Sequence, residues 1–319
     1  MLFEKQIVNI YKKTMFTRCD DDGTAFYFSA SDFAGLCAEP YTFKSSKGHD
    51  LVGYFYHYAD PKQGRLVVFD HGFGGGHRSY IKEIEYLCKN GYLVFAYDHT
   101  GCMESGGDTA NGMAQSICDL NDCITALKSY PKTAGLDISV MGHSWGGFST
   151  LNIAALHPDI SHIVVLSGFV SVEMLVESQF SGLLKGYRRV VMAVEEKANP
   201  EFVKYNAVDV LKHSNVKALL IYSDNDAMVR KDIHFDALKS RLDGKPNIKL
   251  MLVSGKGHNP NYTADAVRYL GEFGAERAKL IKKAPTTEQK RQFVEKWDFD
   301  RMTTQDDSVW GEILAHLLN

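Results

Sequence analysis

Val140-Met141-Gly142-His143-Ser144-Trp145-Gly146-Gly147 joins an apolar run at 137–141 to a stretch of helical character at about 146–156. The octapeptide is therefore a strand-to-helix turn with a serine at its apex. The glycines two residues before and after that serine have a steric reason. A sharp turn there brings the neighbouring strand and helix so close that side chains at 142 and 146 would collide with them. The serine also stands at a helix N-terminus, where unpaired N–H groups and the helix dipole favour negative charge. A glycine-rich turn carrying an incidental serine is the competing reading, and the surrounding segments decide between the two.

Outward from the turn, apolar runs at 65–69, 92–97, 162–166, 218–222 and 248–253 alternate with helical stretches. Near-continuous β-branched and apolar strands of this kind predict an α/β fold with a mainly parallel central sheet covered on both faces. Ligands in such sheets sit beyond the carboxyl ends of the strands, so the chemistry belongs in the loops that follow each run. Residues 41–44 and 51–56 flank a turn at Ser45-Ser46-Lys47-Gly48 and read as an antiparallel edge hairpin. An amphipathic helix is expected over 2–16, and two further helices, 286–297 and 307–318, follow the break at Ala284-Pro285. The interval after 166 holds about fifty residues, where a simple crossover needs only about 10–12. Residues 169–215 are accordingly expected to form a helical cap, lined by Phe180, Leu183, Leu184, Tyr187 and Val190. That leaves 1–168 and 216–319 as the core.

A serine hydroxyl is a weak nucleophile unless a base lies within hydrogen-bond reach and a third group orients that base. Of the 12 histidines, His258 stands in Gly255-Lys256-Gly257-His258-Asn259-Pro260, directly after the run 248–253. His234 and His316 fall in helical stretches, and the other nine precede the acid candidates. Those candidates, Asp224 and Asp226, follow the run 218–222, and the chain order serine, aspartate, histidine is a known triad order. Spacing alone does not choose between the two aspartates. Negative charge developing on a substrate oxygen needs two N–H donors. One is assigned to Trp145. The second is assigned to Phe73, within the glycine-rich Asp70-His71-Gly72-Phe73-Gly74-Gly75-Gly76-His77 after the run 65–69. Gly72-x-Gly74 begins like a dinucleotide loop, but the third glycine position is His77 and no clear acidic partner follows about 20 residues on. The turn 98–106 after the next run reads as scaffolding.

Composition narrows the partners. With 36 Lys and Arg against 39 Asp and Glu the net charge is −3, so no positive field would draw nucleic acid. Hydrophobic residues at 45% and charged ones at 24% are ordinary for a globular chain. Neither a signal-peptide pattern at the N-terminus nor an apolar run of about 18 residues is present in the sequence, which leads to the expectation of a cytoplasmic protein without a membrane span. Asn261-Tyr262-Thr263 fits the glycosylation sequon, a match without weight where secretion is not expected. The 6 cysteines are scattered without a CxxC pair, arguing for reduced thiols rather than a zinc knuckle or redox motif. No cofactor and no metal are called for, and the oligomeric state is open.

Taken together, these segments resemble the α/β-hydrolase superfamily over about residues 30–265. They are most similar to bacterial members akin to monoglyceride lipases and serine aminopeptidase-like hydrolases. The resemblance rests on the loop 71–76, the turn 98–106, the GHSWGG motif at 142–147, the loop containing Asp226 and the Gly257-His258 pair. In that family the acid stands three residues after the small residue that ends its strand, which from Ser223 implies Asp226. The family's arginine after the aspartate of the turn is absent here. Ser144 speaks against haloalkane dehalogenases, which carry aspartate at this position, and against dienelactone hydrolases, which carry cysteine. The resemblance implies an α/β-hydrolase fold and a small-molecule acyl substrate. It further implies a carboxylic ester cleaved through an acyl-enzyme by Ser144, His258 and Asp226. Aminopeptidase-like or thioester cleavage at the same site, or a non-catalytic binding protein on this fold, are the alternatives.

Overall fold

A computed structural model describes residues 3–59, 61 and 64–318. Helix α1 (Glu4–Met15) opens the chain, followed by the hairpin β1 (Cys37–Lys44) and β2 (Asp50–His57). The alternating part runs β3 (Arg65–Asp70), α2 (Ile81–Lys89), β4 (Leu93–Tyr97), α3 (Gln115–Ser129), β5 (Asp137–His143), α4 (Trp145–Asn152) and β6 (His162–Leu166). After it come α5 (Val172–Gln179), α6 (Arg188–Ala198), α7 (Ala207–His213), β7 (Lys217–Ser223), α8 (Phe235–Leu242) and β8 (Ile248–Val253). The tail is α9 (Ala264–Ile281), α10 (Thr287–Val294), α11 (Phe299–Met302) and α12 (Asp307–Leu318).

One eight-stranded sheet, in the order β1-β2-β4-β3-β5-β6-β7-β8, organises these elements. Its strands are parallel from β4 through β8, and only the β1-β2 and β2-β4 pairs are antiparallel. The period of two along each central strand divides the core. Leu66, Val68, Val140, Ile163, Val165 and Leu220 face one layer, and Val67, Phe69, Met141, Val164, Leu166 and Ile221 the other. Helices close both faces, which is why these strands lack the apolar-polar alternation of a half-exposed sheet.

Helix α12 completes the second layer. Val309, Trp310, Ile313 and Leu317 are buried there, and the Trp310 indole stacks on Tyr86 of α2 with centroids 4.4 Å apart. A smaller cluster built on Phe273, Phe293 and Met302 holds α9 to α11 together. The last of the two expected tail helices is thus a wall of the core. No helix among the described residues is long and apolar enough to cross a membrane.

Between β6 and β7, α5 leaves the carboxyl edge of the sheet, capped by the Ser171 hydroxyl, which accepts from Met174 N–H at 3.2 Å. A short 3₁₀ turn over residues 182–187 leads into α6. Helix α7 buries Ala207 and Leu211 against the core. Of the five residues expected to line a cap, Phe180 packs edge-on against Tyr11 of α1 at 6.2 Å. Leu183, by contrast, is fully exposed and Leu184 is 41% exposed. The 3₁₀ turn lifts them away from the core, and both project to solvent.

Candidate functional site

Ser144 has φ 56° and ψ −108°, a conformation disfavoured for a residue with a Cβ. The neighbours impose it. A Cβ on Gly146 would stand 2.1 Å from the Asp70 carbonyl oxygen, and one on Gly142 would stand 2.3 Å from that of Gly146. The elbow thus packs backbone to backbone against the end of β3, and alanine at either glycine would force them apart. Helix α4 behind it is buried throughout, so the strained residue is held from below while Ser144 itself is half-buried.

The Ser144 hydroxyl lies 2.8 Å from Nε2 of His258. His258 Nδ1 lies 2.7 Å from Oδ2 of Asp226. The other carboxylate oxygen, Oδ1, accepts from Met228 N–H at 2.8 Å and Val229 N–H at 3.0 Å. Burial works against charge on Asp226, but the bond from His258, the His258 charge and those two N–H groups prevail, holding its carboxyl below the usual range. An ionised Asp226 can only accept, so the proton sits on His258 Nδ1 and leaves Nε2 free to accept from the serine. Asp224 is exposed and takes a different part. Its carboxylate accepts from the Ser254 hydroxyl at 2.7 Å and Gly255 N–H at 2.9 Å, tying its loop to the one that carries His258. Asn225 adds a third tie, accepting from Gly257 N–H at 2.8 Å.

Trp145 is the first residue of α4, and its N–H is among those a helix start leaves without an intrahelical partner. Phe73 follows β3 in the glycine-rich loop, its ring edge-on to the Trp145 indole at 5.2 Å. The structure therefore brings Ser144, His258, Asp226, Trp145 and Phe73 to one edge of the sheet, and leaves Asp224 outside. Among the described residues no group of three or more His, Cys, Asp or Glu is arranged to hold a metal ion.

Three supporting groups escape a reading of the sequence. His143 Nε2 lies 2.8 Å from the His258 carbonyl oxygen, which can only accept, so Nε2 carries the proton and Nδ1 accepts from the Tyr80 hydroxyl at 2.8 Å. Tyr80 in turn accepts from Gly72 N–H at 3.1 Å. One directed chain of bonds thus links the loop of Phe73 to the loop of His258. Burial, with the nearby His258 charge, lowers the His143 pKa to about 3, so the link keeps its direction at neutral pH. The Trp145 indole N–H donates to the Met113 carbonyl at 2.7 Å. Met113 N–H donates to Glu195 of α6 at 2.8 Å, and Glu195 also accepts from the Tyr11 hydroxyl at 2.6 Å.

Beneath the elbow lies a buried charge cluster. His99 Nε2 is 2.9 Å from Asp70 Oδ1, and its Nδ1 is 3.2 Å from Asp119 Oδ2. All three side chains are inaccessible to solvent. Burial would by itself depress the His99 pKa, yet the Asp70 charge foremost, with the bond to Asp119 and the close contact to Asp70, raises it to about 10. The sign of the pH effect follows. A histidine bound more tightly to its proton in the folded state than its unfolded value of about 6.5 stabilises the fold fully below that pH. The contribution disappears as pH rises toward 10. Urea titrations should show unfolding free energy falling between pH 7 and 10, by at most about 1.4 kcal/mol per unit for this one proton. His99→Asn should flatten that slope, and an unchanged slope would remove His99 as its origin.

Comparison with known proteins agrees with this architecture. The family model described as serine aminopeptidase, S33, matches residues 61–249. The uncharacterized protein YqkD of Bacillus subtilis is 28% identical over 160 residues, 49% of this chain and 50% of its own. (E)-2-((N-methylformamido)methylene)succinate hydrolase of Acinetobacter baylyi is 29% identical over 114 residues, 35% of this chain and 41% of its own. A monoglyceride lipase homolog of Monkeypox virus is 24% identical over 165 residues, covering 48% and 59%. The chain thus spans about half the length of the curated relatives it matches. The esterase Pf2001 of Pyrococcus furiosus superposes with a TM-score of 0.60 at 18% identity, over 89% of this chain and 98% of that one. Est1E from Butyrivibrio proteoclasticus does so with a TM-score of 0.51 at 17% identity, over 76% and 99%. At such identities the likeness is one of fold. With the family model covering more than half its length, the chain belongs to the serine aminopeptidase S33 family, and it has the α/β-hydrolase fold.

Proposed function

We propose that the protein hydrolyses a small carboxylic ester through an acyl-enzyme formed on Ser144. The observation that carries this reading is the unbroken line from the Ser144 hydroxyl through His258 to Asp226, at 2.8 and 2.7 Å. His258 takes the serine proton as the hydroxyl attacks the acyl carbon. Asp226 holds the imidazole in the tautomer that permits this and stabilises the cation that forms. The tetrahedral oxyanion rests on the N–H groups of Trp145 and Phe73, and His258 then returns the proton to the leaving alcohol. Water repeats the sequence to release the acid. Residues 169–215 serve in this reading as the cap that shapes the acyl pocket on a core of 1–168 and 216–319.

Ester cleavage is supported by the names of two similar proteins, an esterase and a monoglyceride lipase homolog. The family description as an aminopeptidase supports a second reading, attack by the same serine on an amide. A fluorophosphonate probe should label the purified protein at Ser144 alone, whereas a protein that merely binds acyl compounds would stay unlabelled. With labelling established, kcat/KM for p-nitrophenyl esters should exceed that for aminoacyl p-nitroanilides and for acyl thioesters. A reversed order would replace ester by amide or thioester.

A further inference from the structure

Cys19 and Cys102, scattered in sequence, lie side by side. Cys19 N–H donates to the Gly101 carbonyl at 2.8 Å and Met103 N–H donates to the Cys19 carbonyl at 3.0 Å, making a one-residue parallel bridge with Cys102. Bridged neighbours stand about 4.8 Å apart, inside the roughly 4.4–6.8 Å between Cα atoms that a disulfide spans. Paired residues of a ladder send their side chains to the same face, which sets the two sulfur atoms side by side. Cys102 is fully buried, while Cys19 is 7% exposed. The neighbouring Cys102 thiol, against burial, holds the Cys19 thiol below its ordinary pKa, and the neighbouring Cys19 together with burial drives that of Cys102 up. Cys19 is thus the member of the pair that an oxidant can reach, with Cys102 buried behind it.

We propose that Cys19 and Cys102 form an oxidative modification site, where hydrogen peroxide converts the thiol pair to a disulfide and so displaces the loop of Gly74. The Cys19 thiolate attacks a peroxide oxygen, the O–O bond breaks, and the departing hydroxide takes up a proton as water. Cys19 is now a sulfenic acid. The Cys102 sulfur loses its proton and attacks the Cys19 sulfur, the S–O bond breaks and a second water leaves. Two thiols have been oxidised by two electrons and the peroxide reduced to water. Met103, next to Cys102, lies against Gly76 of the glycine-rich loop, its Cγ 2.6 Å from where a Cβ on Gly76 would stand, so a shift of Cys102 is passed to that loop. Gly74, at φ 86°, directly follows Phe73, whose N–H is assigned above to the oxyanion, so the effect on turnover rests on the proposed function. The formation of the disulfide does not.

The test uses a Cys37→Ser background, which removes the exposed thiol of the chain. Hydrogen peroxide, alkylation and peptide mapping should yield a linked peptide joining residues 19 and 102, absent after dithiothreitol and absent from Cys102→Ala and from Cys19→Ser. Hydrolysis of p-nitrophenyl esters should fall by about tenfold on oxidation, short of the roughly 10²–10³ lost when an oxyanion donor is deleted, and recover on reduction. Absence of the 19–102 peptide, or pairing of either cysteine elsewhere, would overturn the site. A linked peptide with unchanged turnover would overturn its coupling to the loop. A protein that turns over no ester when reduced would count against the hydrolytic reading, and the peptide map would still decide the modification site.

Discussion

Ser144→Ala should abolish p-nitrophenyl ester turnover and leave the unfolding transition close to that of the wild type. The hydroxyl makes its hydrogen bond to His258, while the backbone around it is fixed by other contacts. Ser144 N–H donates to the Leu166 carbonyl at 2.9 Å, and the Ser144 carbonyl accepts from Phe148 N–H at 3.0 Å. Alanine meets the same backbone penalty at φ 56° that serine already does. The substitution therefore removes one oxygen atom and little else. In a triad that acts as a unit, loss of the nucleophile costs about 10⁶-fold in kcat, and what remains over the uncatalysed rate comes from the oxyanion donors and binding. Steady-state kinetics on the purified variant, with circular dichroism to verify folding, measures this. Turnover within tenfold of the wild type would dismiss Ser144 as the nucleophile.

What the sequence made legible, and what it did not, follows from the range of the interactions involved. The elbow could be read because its requirement is local. Two glycines and a serine at fixed spacing, between an apolar run and a helix, report backbone crowding so close that a Cβ on Gly146 or Gly142 would stand 2.1 or 2.3 Å from a carbonyl oxygen. The strands could be read for the same reason, since burial on both faces leaves a continuous apolar run. His258 was reachable through topology, because a residue following β8 must surface at the edge where Ser144 follows β5. The choice between Asp224 and Asp226, by contrast, came only with the family resemblance. Both follow β7 within a few residues, and which of them turns inward is set by the N–H groups of Met228 and Val229, contacts without a spacing signature. Tyr80, His143 and the cluster of His99 with Asp70 and Asp119 were opaque for the same cause. A buried polar group is defined by partners far along the chain, and His99 draws its partners from the end of β3 and the middle of α3. His99 also stands in the turn that lacks the family's arginine, so a cation is present there that sequence comparison would not count. The 3₁₀ turn of Leu183 and Leu184 misled because apolar composition reports burial only when something packs on it.

Asp226→Asn should lower kcat by about 10⁴-fold, and the surrounding bonds give the reason for so large an effect from an isosteric change. Oδ1 of Asp226 accepts from two backbone N–H groups, Met228 and Val229. An asparagine would keep its carbonyl oxygen on those two donors and turn its NH₂ toward His258. The NH₂ can only donate, so His258 would have to accept through Nδ1 and carry its proton on Nε2, facing the Ser144 hydroxyl with the wrong tautomer. The hydroxyl would then have nothing to receive its proton. Substrate binding does not involve this contact, so KM should move little while kcat falls. Asp224→Asn is the internal control. Its carboxylate accepts from Ser254 and Gly255 on the exposed side of the same loops, and an amide oxygen can keep one of those bonds. A loss below about tenfold is expected there, the scale of a small shift in the His258 loop rather than a changed proton position. Equal losses from the two variants, or a larger one from Asp224→Asn, would transfer the role of the acid to Asp224. Raising pH in the Asp226→Asn reaction offers a further discrimination. Hydroxide removing the serine proton directly should restore part of the rate if the defect is a missing base, whereas a misfolded site would gain nothing.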